Sequence, residues 1–195
     1  MRITAVLAIS AAVTGCARAD SSASSAPRLS DAHLIICMTL GSDVPRVTGA
    51  DKLAQRMLAE IGVETEWPWR GSRCVKGGDI VITLSYQTPA SKLPGAFAYA
   101  LAYEGRHIVV FWDRILKKVG SAVAPILLAH VMVHEIAHIL QGVSRHSEIG
   151  VMKAAWNPDD YFQMRKKPLE FTEEDVRLIQ RGIAARSVDV PSIGK

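Results

Sequence analysis

The sequence predicts an α+β domain, and three observations carry that prediction. Short apolar, β-branched runs (His33–Leu40, Asp79–Leu84, His107–Trp112) recur through the first part of the chain. Runs of this length between turn residues fit strands. One amphipathic helical segment, Asp51–Ile61, lies among them, and two further helical segments close the chain.

The 195 residues, nearly half of them apolar, suffice for one domain with a real core. The formal charge is +4. Two of those charges, Arg2 and Arg18, fall in residues 1–19, which hold no acid. That leaves +2 for the remainder, a poor basis for a nucleic-acid partner, and none is expected. The basic run Arg165-Lys166-Lys167 reads as a solvated loop.

Residues 1–19 read as a signal peptide. Arg2 precedes an alanine-rich apolar run, Ile3 to Val13, too short to span a bilayer as a helix, so no transmembrane helix is expected. Ala17-Arg18-Ala19 fits a cleavage site, and Val13-Thr14-Gly15-Cys16 resembles a lipobox that would leave Cys16 as a lipid anchor. Both imply export: secreted or periplasmic, or lipid-anchored to the envelope. Residues 20–30, rich in Ser and Ala, read as a disordered spacer, and residues 31–195 as a single domain. Beyond the leader only Cys37 and Cys74 remain. An even pair in an oxidising compartment points to a disulfide, the alternative being two buried thiols.

His33–Leu40 is the first predicted strand. In Asp51–Ile61, Leu53, Met57, Leu58 and Ile61 fall at helical spacing, with Thr48 or Asp51 as cap and Gly62 as stop. Val63–Trp69 alternates and reads as a half-exposed strand ended by Pro68. Gly71–Gly78 is a loop carrying Cys74, and Asp79–Leu84 a buried strand. Gln87–Gly95 is irregular, Ala96–Tyr103 an edge strand, and His107–Trp112 the strongest strand signal. A long helix runs from near Ser121 to Gln141, with Pro125 in its first turn. After an irregular, aromatic and basic section, Thr172 caps a last helix reaching about Ala185. Its acids, Glu173, Glu174 and Asp175, sit at the start.

The long helix carries His134-Glu135-Ile136-Ala137-His138. Residues four apart lie on one helical face, about 6 Å apart along the axis, so two imidazoles can converge on one ion at about 2.0–2.1 Å. Glu135, beside the first histidine, can serve as a proton acceptor for water. His130 shares that face but lies about 12 Å from His138 along the axis, too far for one ion, and reads as packing. The alternative reading is a core helix with two satisfied histidines. Against it stand the apolar flanks, the Gly142 stop, and His146 with Gly150-Val151-Met152 just beyond.

This pattern resembles the zincin metallopeptidases, and among them the metzincins, which carry HExxHxxGxxH followed by a methionine turn. The stretch HEIAHILQGVSRHSEIGVMKA (residues 134–154) is similar to that of small secreted bacterial zincins. The resemblance implies a mixed twisted sheet with an early helix, an active-site helix and a C-terminal helix. It implies Zn2+ as cofactor, held by His134, His138 and His146, with Glu135 as general base and Met152 in the Met-turn. The spacing departs from the family: Gly142 lies four residues after His138 rather than three, and His146 eight rather than six. One extra helical residue and one extra loop residue could absorb this. Glu148, Glu173 and Glu174 are alternative third ligands. By the same analogy Tyr161 would lie near the oxyanion, and a peptide would pair along Ala96–Tyr103. Trp67, Trp69 and Trp156 read as packing or cleft lining.

Two functions fit. One is a secreted zinc-dependent peptidase, an endopeptidase by analogy, acting on a peptide or protein substrate. The other is a zinc-binding module without protease activity of its own, motivated by the small size and the displaced third histidine. A carboxylate at 135, useless to a purely structural site, favours the first.

Overall fold

The computed structural model describes residues 33–41, 47–68, 74, 80–89, 95–100 and 105–188. The leader with Cys16, the spacer, Trp69 and most of the 71–78 loop lie outside the described residues.

Five strands form one mixed sheet: β1 (His33–Leu40), β2 (Glu64–Glu66), β3 (Ile80–Ser85), β4 (Ala98–Ala100) and β5 (His107–Phe111), in the order β2-β1-β3-β5-β4. β2, β1, β3 and β5 run parallel, and β4 pairs antiparallel with β5 at the edge. The described helices are α1 (Ala50–Ala59), α2 (Trp112–Val119), α3 (Ala124–Gln141), α4 (Pro158–Met164) and α5 (Glu173–Val188). This is the expected α+β, mixed-sheet arrangement. The core joins the sheet residues Ile36, Ile82 and Val110 to Leu58 of α1 and to Leu128 and Met132 of α3, all essentially without solvent exposure. By composition alone α3 is apolar enough to cross a membrane; here it is mostly buried and forms the central helix of the core. A disulfide joins Cys37 on β1 to Cys74, with Cα atoms 5.6 Å apart.

Several predicted elements are corrected. Neither Thr48 nor Asp51 caps α1: the N-cap is Gly49, at φ 89°, with no side-chain bond. β2 is shorter than Val63–Trp69. The Trp67 indole donates back to the Thr65 hydroxyl at 2.9 Å, and Pro68 has no N–H for the ladder. Trp112 opens α2 rather than ending a strand. That helix, with Asp113 in its first turn and Lys117 and Lys118 in its last, suits the helix dipole. It went unpredicted because Phe111 ends the strand and caps the helix with no breaker between. The section read as irregular contains α4, opened by a capping box. The Asn157 side chain accepts from the Asp160 amide, and Asp160 accepts from the Asn157 amide, with Pro158 in the first turn.

Candidate metal centre

The site has a helical half and a loop half. α3 is apolar almost all round, so burial rather than amphipathicity fixes its rotation. That rotation turns Glu135 and His138 towards a cleft, with His134 beside His138, while Leu128, Val131, Met132 and Ile136 enter the core. Gly142 ends the helix in the left-handed region at φ 69°, its N–H bonded to the His138 carbonyl. The extra residue relative to the familiar spacing is thus one more helical residue.

The three imidazoles meet. His138 Nε2 lies 3.0 Å from His134 Nε2 and 3.3 Å from His146 Nε2. The ligand atoms of all three residues fall within 4.8 Å of one another. Two nitrogens bound tetrahedrally to one zinc would stand about 3.3 Å apart. The other ring nitrogens face carbonyls: His134 Nδ1 donates to Val151 O at 2.9 Å and His138 Nδ1 to Val143 O at 3.3 Å. A carbonyl only accepts, so in the neutral rings each Nδ1 holds the proton and each Nε2 presents a lone pair. Lone pairs 3.0 Å apart repel unless a cation lies between them, so this donor set fits a metal ion. Burial lowers the pKa of His134 to about 4. The Val151 bond opposes that shift, while His138 and His146 add to it. His138 is also lowered, by burial and then by His146. Both rings are therefore neutral and free to ligate near pH 7.

The loop half brings in His146 after a short irregular link. The Ser147 amide donates to Met152 O at 2.8 Å, closing the turn, and Val151 and Met152 are fully buried. Gly150 has φ 78°, and a Cβ there would lie 2.2 Å from the backbone oxygen of Glu170. Only glycine lets the turn sit against that segment, where the Val151 amide reaches Glu170 O at 3.0 Å. The docked turn then presents Val151 O to His134.

Burial raises the Glu135 carboxyl to about 7, opposed by a hydrogen bond from the backbone of Ala100 on β4. Glu135 and His138 line a cleft of about 220 Å3 together with Ala100, Gly105, Val143 and Arg186. The antiparallel edge strand thus borders the carboxylate that stands beside the histidines.

Glu148, Glu173 and Glu174 lie outside the histidine cluster; Glu174 instead pairs with Arg177 on α5. His130 is fully buried. Its Nδ1 donates to Ile126 O at 2.8 Å, and its Nε2 accepts from the Leu169 amide at 3.1 Å. It ties α3 to the segment before α5. Trp156 packs edge-on against His130 and His134. Trp67 packs on the core. Tyr161 lines a hollow with Val119, Val123 and Phe162, and the Lys118 ammonium lies over its ring.

Sequence reasoning missed three residues here. Gly182 on α5 allows a close helix crossing, since a Cβ would fall 1.8 Å from Leu140 O. Arg186 reaches the Ile139 carbonyl at 2.5 Å near the end of α3. The sequence marks Asp175 only as a helix-start acid, yet it is fully buried and binds the residues on both sides of His146. The T-x-x-D pattern from Thr172 signalled its capping bond but not its reach to the loop.

No protein-family model and no curated protein matches this sequence. Among solved structures, the chain is similar to the crystal structure of archaemetzincin from Methanopyrus kandleri. The TM-score is 0.59 and the identity 19%, over 80% of this chain and 98% of that one. At that identity the likeness shows the fold, and the fold is an archaemetzincin-like zincin fold.

Proposed function

We propose that the protein is a zinc-dependent metallopeptidase that hydrolyses peptide bonds, with Glu135 as general base. The observation that carries this reading is the convergence of three imidazole Nε2 atoms beside a buried carboxylate in an open cleft. His134, His138 and His146 would hold the zinc, which when bound supplies Lewis-acid activation of water and of the scissile carbonyl. Glu135 takes a proton from the attacking water and returns it to the leaving amine, so the peptide plus water becomes an acid and an amine. The substrate backbone runs along the edge strand β4, beside Glu135.

Met152 forms the buried floor of the turn. The protein acts after export, as the leader implies, and the Cys37–Cys74 disulfide supports an oxidising compartment.

The test is to purify the protein without chelator, measure zinc per chain, and follow cleavage of unfolded casein by wild type and Glu135→Ala. About one zinc per chain is expected. Cleavage should fall by about 10²–10⁴-fold in the variant while the zinc is retained. Zinc without any cleavage would favour the second reading, a zinc-binding module. No bound zinc would remove both.

A further inference from the structure

We propose that Asp175 is a positioning residue for the metal. Its buried carboxylate fixes the loop that presents His146 and so strengthens cation binding by the three histidines. The inference rests on reading those histidines as ligands.

The two carboxylate oxygens divide their work. Oδ2 accepts from the Thr172 amide at 3.0 Å and the Thr172 hydroxyl at 2.6 Å, which satisfies the start of α5. Oδ1 accepts from Ser147 Oγ at 2.6 Å and from Arg145 Nη1 at 2.8 Å. Arg145 and Ser147 are the two neighbours of His146, so one oxygen grips the loop on both sides of the proposed ligand. Capping α5 requires only the Oδ2 half of this arrangement. Asp175 has no solvent exposure, and a buried carboxylate is costly unless every bond to it is made. The backbone oxygen of Asp175 also accepts from Gln141 Nε2 at 3.5 Å, at the last residue of α3. Asp175 therefore touches both segments that carry the histidines.

Arg145 pairs with the Asp175 carboxylate and offsets its charge, so what Asp175 contributes is its hold on the loop. Without the Oδ1 bonds, His146, exposed on a turn, would have to be ordered by the metal itself. The ordering cost would then be taken from the binding free energy.

The experiment uses the full chain and compares Ser147→Ala, Asp175→Asn and Thr172→Ala with wild type. Zinc affinity is measured by chelator competition, and the melting temperature of the metal-free protein is recorded beside it. Ser147→Ala and Asp175→Asn should lose roughly 10–100-fold in zinc affinity, while Ser147→Ala melts no lower than Thr172→Ala in the metal-free form. Thr172→Ala, which removes the two hydroxyl bonds at the start of α5 and leaves the Oδ1 bonds in place, should lower that melting temperature and leave affinity within about threefold.

Should Asp175→Asn fail to fold, Ser147→Ala and Arg145→Gln decide the matter. Wild-type affinity in the loop-side variants overturns the proposal while leaving the peptidase reading intact. An equal loss in Thr172→Ala overturns it too, because general destabilisation would then account for the effect. A wild-type protein that binds no zinc removes both.

Discussion

His134 and His138 stand on a helix whose other faces are sealed in the core, whereas His146 stands on an exposed turn held from below by polar bonds. The first pair is placed by backbone periodicity and apolar burial, which act along the whole of α3. The third is placed by a few specific devices: Gly150 against Glu170, Val151 and Met152 buried, and Asp175 gripping Arg145 and Ser147. Redundancy protects the helical half, because many contacts share the task. The loop half has no such reserve, so single changes there should be felt at the site before they are felt in the fold.

The largest expected effects come from the two glycines, one in each half. Gly182→Ala places a Cβ 1.8 Å from Leu140 O and should push α5 off α3, costing about 3 kcal/mol or more. Gly150→Ala meets Glu170 O at 2.2 Å at a positive φ and should cost about 3 kcal/mol. Denaturant melts give both numbers, and zinc retention separates them: Gly150→Ala should release zinc at denaturant concentrations where the protein is still folded. If the two variants lose zinc and fold together, the contrast between the halves is wrong.

Acid should strike the helical half through His130. Burial holds its folded pKa at about 4, against 6.5 ordinarily, with the Ile126 bond partly opposing. The unfolded chain therefore binds the proton more readily. Stability is fully present above pH 6.5, falls as the pH drops below it, and levels off near pH 4. The total loss is about 3 kcal/mol. Urea unfolding at pH 7, 5.5 and 4.5 measures the slope. His130→Asn, although less stable at pH 7, should show a flatter dependence over that window, and an unchanged slope would remove His130 as the cause.

The smallest effect is expected at Lys153, just past the turn, whose ammonium pairs with Asp160 with both side chains less than a fifth exposed. Lys153→Ala should cost about 1 kcal/mol. A double-mutant cycle with Asp160→Ala would isolate the pair, and no coupling would show that Lys153 contributes nothing to holding the turn.

Much of this architecture was readable from local signals. His33–Leu40, the long helix through Gln141, the Thr172 cap, the lone cysteine pair and the one-turn spacing of His134 and His138 depend on residues within a few positions of each other, or on composition. The misses share a cause as well. Phe111 ends a strand and caps a helix at once, and Gly49 stands at a helix start where a polar cap was expected. The Asn157–Asp160 box was legible but hidden among aromatic and basic residues. Gly182 and the Oδ1 side of Asp175 act on atoms some thirty to forty residues away, which no local pattern encodes.

By itself, then, the sequence determined the α+β class, the apolar helix and the face on which His134, Glu135 and His138 stand. Hydrophobic period and helical pitch are properties of neighbouring residues. Only the tertiary structure decided where His146 comes to rest. Its place depends on Gly150 meeting Glu170, on Met152 being buried and on Asp175 closing over the loop. Those are close approaches between segments far apart in the chain, and their geometry exists only once the core has formed.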